Sequence, residues 1–252
     1  MSATTITDVE TIPAIRHHEA MALQATELER AIATLRTLDD EQWRARTVCP
    51  EWDVRQMWLH VLGACEAGAS MRENLHQMRL ARKRRKDVGV PLEAGLSGVQ
   101  VAEREHLSPD DLVERLELIA PKTVKGRSRT PRAMRAAKIG IDAPVIEKWS
   151  LGYLIDIIYL RDAWMHRLDT ASATGADLVL TADHDGRIVA DVVAEWARRH
   201  GEPFTLELTG IAGGVFTADG GGEPIVVDAV EFCSVLSGRG EATGLLATNV
   251  PF

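Results

Sequence analysis

The sequence has few of the features that mark extracellular, membrane or nucleic-acid-binding chains. Three cysteines, Cys49, Cys65 and Cys233, are too sparse for a disulfide framework, and no CxxC pair points to a zinc ribbon or redox couple. The N-terminal stretch MSATTITDVETIP lacks a basic region followed by an apolar one, so no signal peptide is expected. The longest apolar stretch, 151–160, is about half of the ~20 residues a membrane span needs, and it contains Asp156. There is no excess of basic charge: 29 Lys and Arg stand against 37 Asp and Glu, net −8, which argues against nucleic acid as a partner of the whole chain. No internal repeat is visible. These absences leave a cytoplasmic protein of a reducing compartment as the expectation.

What is present suits a globular chain. The 252 residues are 45% hydrophobic and 26% charged, enough for one large domain or two modest ones. Leu28, Ile32 and Leu35 recur at helical spacing within 14–38. A short acidic turn of helix follows at 39–43, then a break at Cys49-Pro50, because Pro50 biases Cys49 away from helix. Asp53, with Gln56 three residues on, predicts a capped helix running to about residue 80, with Met57, Val61, Ala64 and Cys65 inward. Gly89, Pro91, Gly95 and Gly98 predict loop or broken helix. Ser108-Pro109 opens another helix, and a long apolar helix is expected over 145–169. Beyond a small-residue linker at 171–175 the pattern changes to strands at 178–180, 204–208, 214–217 and 224–227, with helices at 185–200 and 228–236. The expected fold is α+β, with a helical domain over 1–172 and a small α+β domain over 173–252.

The sharpest chemical signal is His60 with Asp162 and His166. His60 shares the inward face of Met57 and Ala64, and Asp162 and His166 lie one turn apart on one face of the long apolar helix. A carboxylate there is costly to desolvate alone. A metal ion relieves that cost, and so does an arginine; an Asp–His pair at this spacing is also often just a side-chain hydrogen bond. Two imidazoles and one carboxylate would leave coordination positions open, as catalytic metal sites do. Such a donor set suits zinc first, with iron or nickel as alternatives. Asp169 either orients an imidazole or ends the helix. His17 and His18 are further possible ligands. Arg239, within a Gly-Arg-Gly turn, either holds a carboxylate of substrate or cofactor or is simply solvated.

The stretch LDDEQWRARTVCPEWDVRQMWLHVLGA resembles the metal-binding domain of the mycothiol-dependent maleylpyruvate isomerase family, part of the wider DinB-like four-helix group. Its Cys49-Pro50-Glu51-Trp52 turn precedes the helix of His60, and Asp162, His166 and Asp169 match the family's second signature. The segments at 229–232, 236–239 and 250–252 resemble the closing pattern of that family's sterol-carrier-like domain. The resemblance implies a DinB-like four-helix bundle holding a divalent metal at His60, Asp162 and His166. It also implies mycothiol as the thiol cofactor, a thiolate activated at the metal, and isomerisation or thiol transfer on a small electrophilic substrate. Two residues depart from the family pattern. Glu51 replaces the usual glycine, and Asp162 stands where the isomerase has glutamate, one methylene longer. The partners expected are small molecules, and the assembly a monomer or homodimer.

The charge is unevenly placed. Residues 72–138 hold 16 Lys and Arg and 9 Asp and Glu, a local balance of +7 that leaves −15 on the remainder. That asymmetry supports a competing reading, a DinB-like regulatory module whose basic middle meets an anionic partner. No nucleic-acid-binding motif accompanies it, and most such runs are solvated faces. Lipid binding by the small domain, with a merely structural metal site, is a third reading.

Overall fold

The computed structural model describes residues 5–142, 146–221 and 224–252 and divides into two compact units. One comprises Arg16–Leu178. The other joins the segment up to Ile15 to Val179–Phe252. The chain is α+β, as the pattern of elements predicts.

The chain opens with the short strand β1 (Ile6–Asp8), which belongs to the second unit. The first unit runs α1 (His17–Leu35), α2 (Asp40–Trp43), α3 (Val54–Ala69), α4 (Met71–Val88), α5 (Leu92–Ala102), α6 (Pro109–Ser128) and α7 (Arg132–Arg135). An antiparallel pair, β2 (Lys138–Ile141) and β3 (Glu147–Ser150), leads into α8 (Leu151–Tyr153), a π-helical turn at Leu154–Ile158, and α9 (Tyr159–Thr174). Four of these helices close a bundle: α1 packs on α6 and α9, and α3 packs on α6 and α9. α4 and α5 pack on each other and on α3.

Local signals start the helices that hold this bundle. Asp53 Oδ1 accepts from the backbone of Gln56 (2.7 Å) while Gln56 Oε1 accepts from the backbone of Asp53 (3.2 Å), the reciprocal cap that opens α3. Ser108 and Asp111 do the same for α6, with Pro109 in its first turn. The core is then built by burial: Leu28, Ile32 and Leu35 from α1 meet Met57, Trp58, Val61, Leu62 and Cys65 from α3, and Leu112 and Leu116 from α6. Each such side chain contributes about 1.5–3 kcal/mol when fully buried. At the α3–α6 crossing the backbones touch, since a Cβ on Gly126 would lie 2.2 Å from the carbonyl oxygen of Gly68. Buried polar ties join α1 and α9 to the rest. Glu27 pairs with Arg167 at 2.6 Å, and Trp58 Nε1 donates to Thr170 Oγ1 at 2.8 Å. Gln24 donates to the π-turn carbonyl of Ile155 (2.6 Å) and accepts from Arg127 (2.8 Å).

The structure departs from the sequence reading in identifiable places. The helix expected to continue to residue 80 breaks at Ser70, whose extended backbone (φ −138°) and hydroxyl cap α4 afresh. Gly95 and Gly98 lie inside α5, held helical by packing on α4. The helix expected over 145–169 begins only at Leu151, because 147–150 pair with β2; Val145 lies outside the described residues. The small-residue segment near 171 stays helical through Thr174, and no strand forms at 178–180.

In the second unit a π-helical turn at Ala182–Gly186 leads into α10 (Arg187–His200), followed by β4 (Phe204–Thr209), β5 (Gly214–Ala218), β6 (Ile225–Asp228) and α11 (Ala229–Leu236). The sheet order is β1-β5-β4-β6, with β1 parallel to β5, β4 antiparallel to β5 and β6 parallel to β4. Trp196 of α10 anchors the core, edge-on to Phe204 (4.8 Å) and Phe232 (5.4 Å). Its indole N–H is satisfied by the carbonyl of Leu245 at 3.0 Å.

Candidate metal centre

The site begins at the break before α3. Thr47 Oγ1 accepts from the backbone of Cys49 (3.1 Å) and donates to the carbonyl of Trp52 (3.0 Å), so the Cys49-Pro50-Glu51-Trp52 turn is tied to itself. Arg46 closes it by donating to the carbonyl of Pro50. Among the described non-glycine residues only Asp219 has a positive φ, so Glu51 takes the usual glycine position without left-handed backbone. The turn delivers the Trp52 ring onto His60, stacked at 5.3 Å with the planes 30° apart.

His60 projects from the second turn of α3, and Asp162 and His166 project from successive turns of α9. Asp162 turns one oxygen to each imidazole: Oδ2 is 3.7 Å from His60 Nε2 and Oδ1 is 3.3 Å from His166 Nε2. The two rings stand edge to face, 5.7 Å between centroids. One donor atom from each of the three residues lies within 4.8 Å of the other two. Asp162 is the most open of them, its side chain 25% exposed against 13% for His60 and 6% for His166.

Electrostatics bind the group together. Burial pushes the Asp162 carboxyl upward, but the facing imidazoles of His166 and His60 outweigh it and hold the group well below the usual carboxylate range. Burial likewise works against a charged His166, yet Asp162 and then Asp169 push it up to about 9. Asp169 faces the far side of that ring, Oδ2 to Nδ1 at 3.3 Å. The helix behind is fixed by Thr170, whose hydroxyl donates to the carbonyl of His166 at 2.7 Å.

Around the donors lie groups of other kinds. Cys49, His166 and Asp169 form a second set whose donor atoms also lie within 4.8 Å of one another. Residues Cys65, Tyr159, Arg127 and Asp162 line a cavity of about 10 Å³, room for about one water. Arg127 lies over the Tyr159 ring at 4.1 Å, and burial pushes both the Tyr159 hydroxyl and the Cys65 thiol up.

The structure therefore brings together His60, Asp162 and His166, with Asp169 behind them. His17 is elsewhere, its Nδ1 paired with Asp156 at 2.7 Å, and His18 is exposed. Arg239 belongs to the other compact unit, half-buried just after α11 and donating to Ser237 Oγ at 3.0 Å.

Residues 25–171 match the family model described as the mycothiol maleylpyruvate isomerase N-terminal domain. The chain belongs to that family. Two solved structures, the mycothiol-dependent maleylpyruvate isomerase and a mutant of it, are each 17% identical to this chain with a TM-score of 0.56. In both comparisons 93% of this chain and 93% of the other are covered. At that identity the likeness is one of fold. No curated protein sequence matches. In this maleylpyruvate isomerase family member, sequence reasoning missed the partner of His60. Its Nδ1 lies 2.7 Å from Gln100 Oε1, and Gln100 bonds Gln77 in turn. A glutamine on a helix face announces no chemistry, so nothing in the sequence pointed to it. Cys49, read only as part of the turn, was likewise missed as a donor.

Proposed function

We propose that the chain is a metal-dependent enzyme that uses mycothiol as its thiol cofactor for isomerisation or thiol transfer on a small electrophilic substrate. His60, Asp162 and His166 are the proposed metal ligands. The observation that carries this reading is the convergence of three donor atoms from two helices a hundred residues apart. The donor set fits the group. One donor atom from each residue lies within 4.8 Å of the other two, close enough for one ion to be shared among them. Zinc suits two imidazoles and a carboxylate best, and iron and nickel accept the same donors.

When bound, a divalent ion at this site would favour the thiolate form of a coordinated thiol and act as a Lewis acid. The protein's own residues do the rest. Asp169 holds the His166 ring through Nδ1 and so leaves Nε2 facing Asp162. Trp52 stacks on His60 and covers one face of that ring. Cys65 is not the nucleophile of this reading, since it is buried with its thiol pushed up. Arg239 is the proposed holder of a carboxylate from substrate or cofactor, a task that suits a guanidinium fork. The basic segment already has work within the bundle, where Arg85 pairs with Asp142 at 2.8 Å and Arg84 lies against Gly98.

The test is metal analysis of the purified chain, joined to a screen of electrophiles with and without mycothiol. Near-stoichiometric metal and turnover that needs the thiol are expected. His60→Ala and His166→Ala should remove both while leaving helix content near normal. Retention of full metal by both variants would show the ligands misassigned.

A further inference from the structure

We infer that Gln100 is a positioning residue for this site: it accepts from His60 Nδ1–H and so leaves Nε2, the ring nitrogen on the side of Asp162, as the atom that would hold the metal. The inference rests on the metal-site reading above and concerns how one ligand is aimed.

The argument is one of hydrogen-bond polarity. Gln77 Nε2 lies 3.0 Å from the carbonyl oxygen of Gly63 and 2.8 Å from Glu73 Oε1. A carbonyl only accepts, and so does the Glu73 carboxylate that takes Arg104 Nη2 at 2.9 Å. Gln77 must therefore present its NH2 to both, which leaves its Oε1 facing Gln100. That oxygen accepts from Gln100 Nε2 at 3.0 Å, so the Gln100 amide is oriented as well. Its Oε1 then faces His60 Nδ1 at 2.7 Å, and an oxygen acceptor there demands an N–H. The direction of every bond is thus set at the far end of the chain and delivered to the imidazole.

The chain is stiff. Gln77 is fully buried, Gln100 is 2% exposed and Arg104 4%. Arg104 locks the outer end, gripping Glu66 through Nε (2.8 Å) and donating Nη1 to the backbone carbonyl of Gln100 (3.0 Å). Gly63, one turn along α3 from His60, makes room: a Cβ there would lie 2.6 Å from Gln100 Cβ. With Asp169 on Nδ1 of His166 and Gln100 on Nδ1 of His60, both imidazoles aim Nε2 at the same carboxylate. Gln100 does so without adding a third carboxylate beside Asp162 and Asp169. A pair of glutamines that merely filled space would have no need of this consistent polarity.

The test uses the full chain, zinc as the probe, and three variants. Affinity is read by competition with a chromophoric chelator, and the His60 tautomer by long-range nitrogen–proton NMR of the zinc-free protein. Gln100→Leu should lose the Nδ1–H preference and bind zinc about 10–100-fold more weakly. Gln100→Glu keeps an acceptor for Nδ1 but, like leucine, has no NH2 to give Gln77. It should keep the tautomer and bind zinc near the wild-type value. Equal weakening in both variants would reduce Gln100 to packing and overturn the inference, as would a wild-type tautomer in Gln100→Leu. His60→Ala separates the two readings. If it binds zinc as wild type, the ligand assignment fails. If it loses zinc while Gln100→Leu does not, only the role of Gln100 fails.

Discussion

Asp162 shows how much a single side chain carries. Each of its oxygens faces a different helix's imidazole, so it is both the proposed third ligand and the charge that steadies His166. Asp162→Asn should therefore weaken zinc binding by at least the ~10–100-fold that loss of an outer partner costs. Isothermal titration with zinc checks this. Glu73 gives a prediction in pH. Burial pushes its carboxyl up, but bonds from Gln77 and Arg104 outweigh burial and hold it below its ordinary 4.5. The folded state thus binds fewer protons than the unfolded one, so this stabilisation is present above pH 4.5 and is lost as pH falls below it. Urea unfolding at a series of pH values should show a shallower acid loss in Glu73→Gln than in wild type. Residues of this kind divide cleanly by legibility. His60, Asp162 and His166 could be read from the sequence because their types name a chemistry and helical spacing gives them faces. Gln100 could not, because its meaning depends on a partner 40 residues away.

Among the elements, those started by local chemistry were legible and those stopped by distant partners were not. The caps at Asp53 and Ser108 are written within four residues, and both helices begin where those caps predict. β3 is different: its four residues read as helix until β2 pairs with them. The π turn before α9 leaves no periodic trace either. Two substitutions test the packing of the long helices. Gly126→Ala drives a methyl into the carbonyl of Gly68 at the α3–α6 crossing and should cost about 1–3 kcal/mol in chemical denaturation. Glu27→Ala removes the buried carboxylate that pairs with Arg167 between α1 and α9 and should cost about 1.5–3 kcal/mol by the same measurement.

For the whole molecule the instructive feature is where the first residues go. The sequence reading assigns 1–172 to the bundle, whereas the structure groups the segment up to Ile15 with the C-terminal sheet through β1 and β5. Three residues are too short for an alternating pattern to register, and their partner lies at the opposite end of the chain. Deleting residues 1–11 should leave one side of β5 unpaired. Hydrogen exchange should then show lost protection within 215–217, while amides in the middle of α3 exchange as before.

That pairing also dictates a timetable. The register partner of Ile6, Val215, is made some two hundred residues after it, about 10–40 s later at ordinary rates of synthesis. During that interval every residue of the bundle between them has been made, while the opening strand waits alone. The segment of the bundle is thus complete before β1 can find its partner, and a pause in translation ahead of Val215 prolongs the exposure of that strand's unpartnered edge.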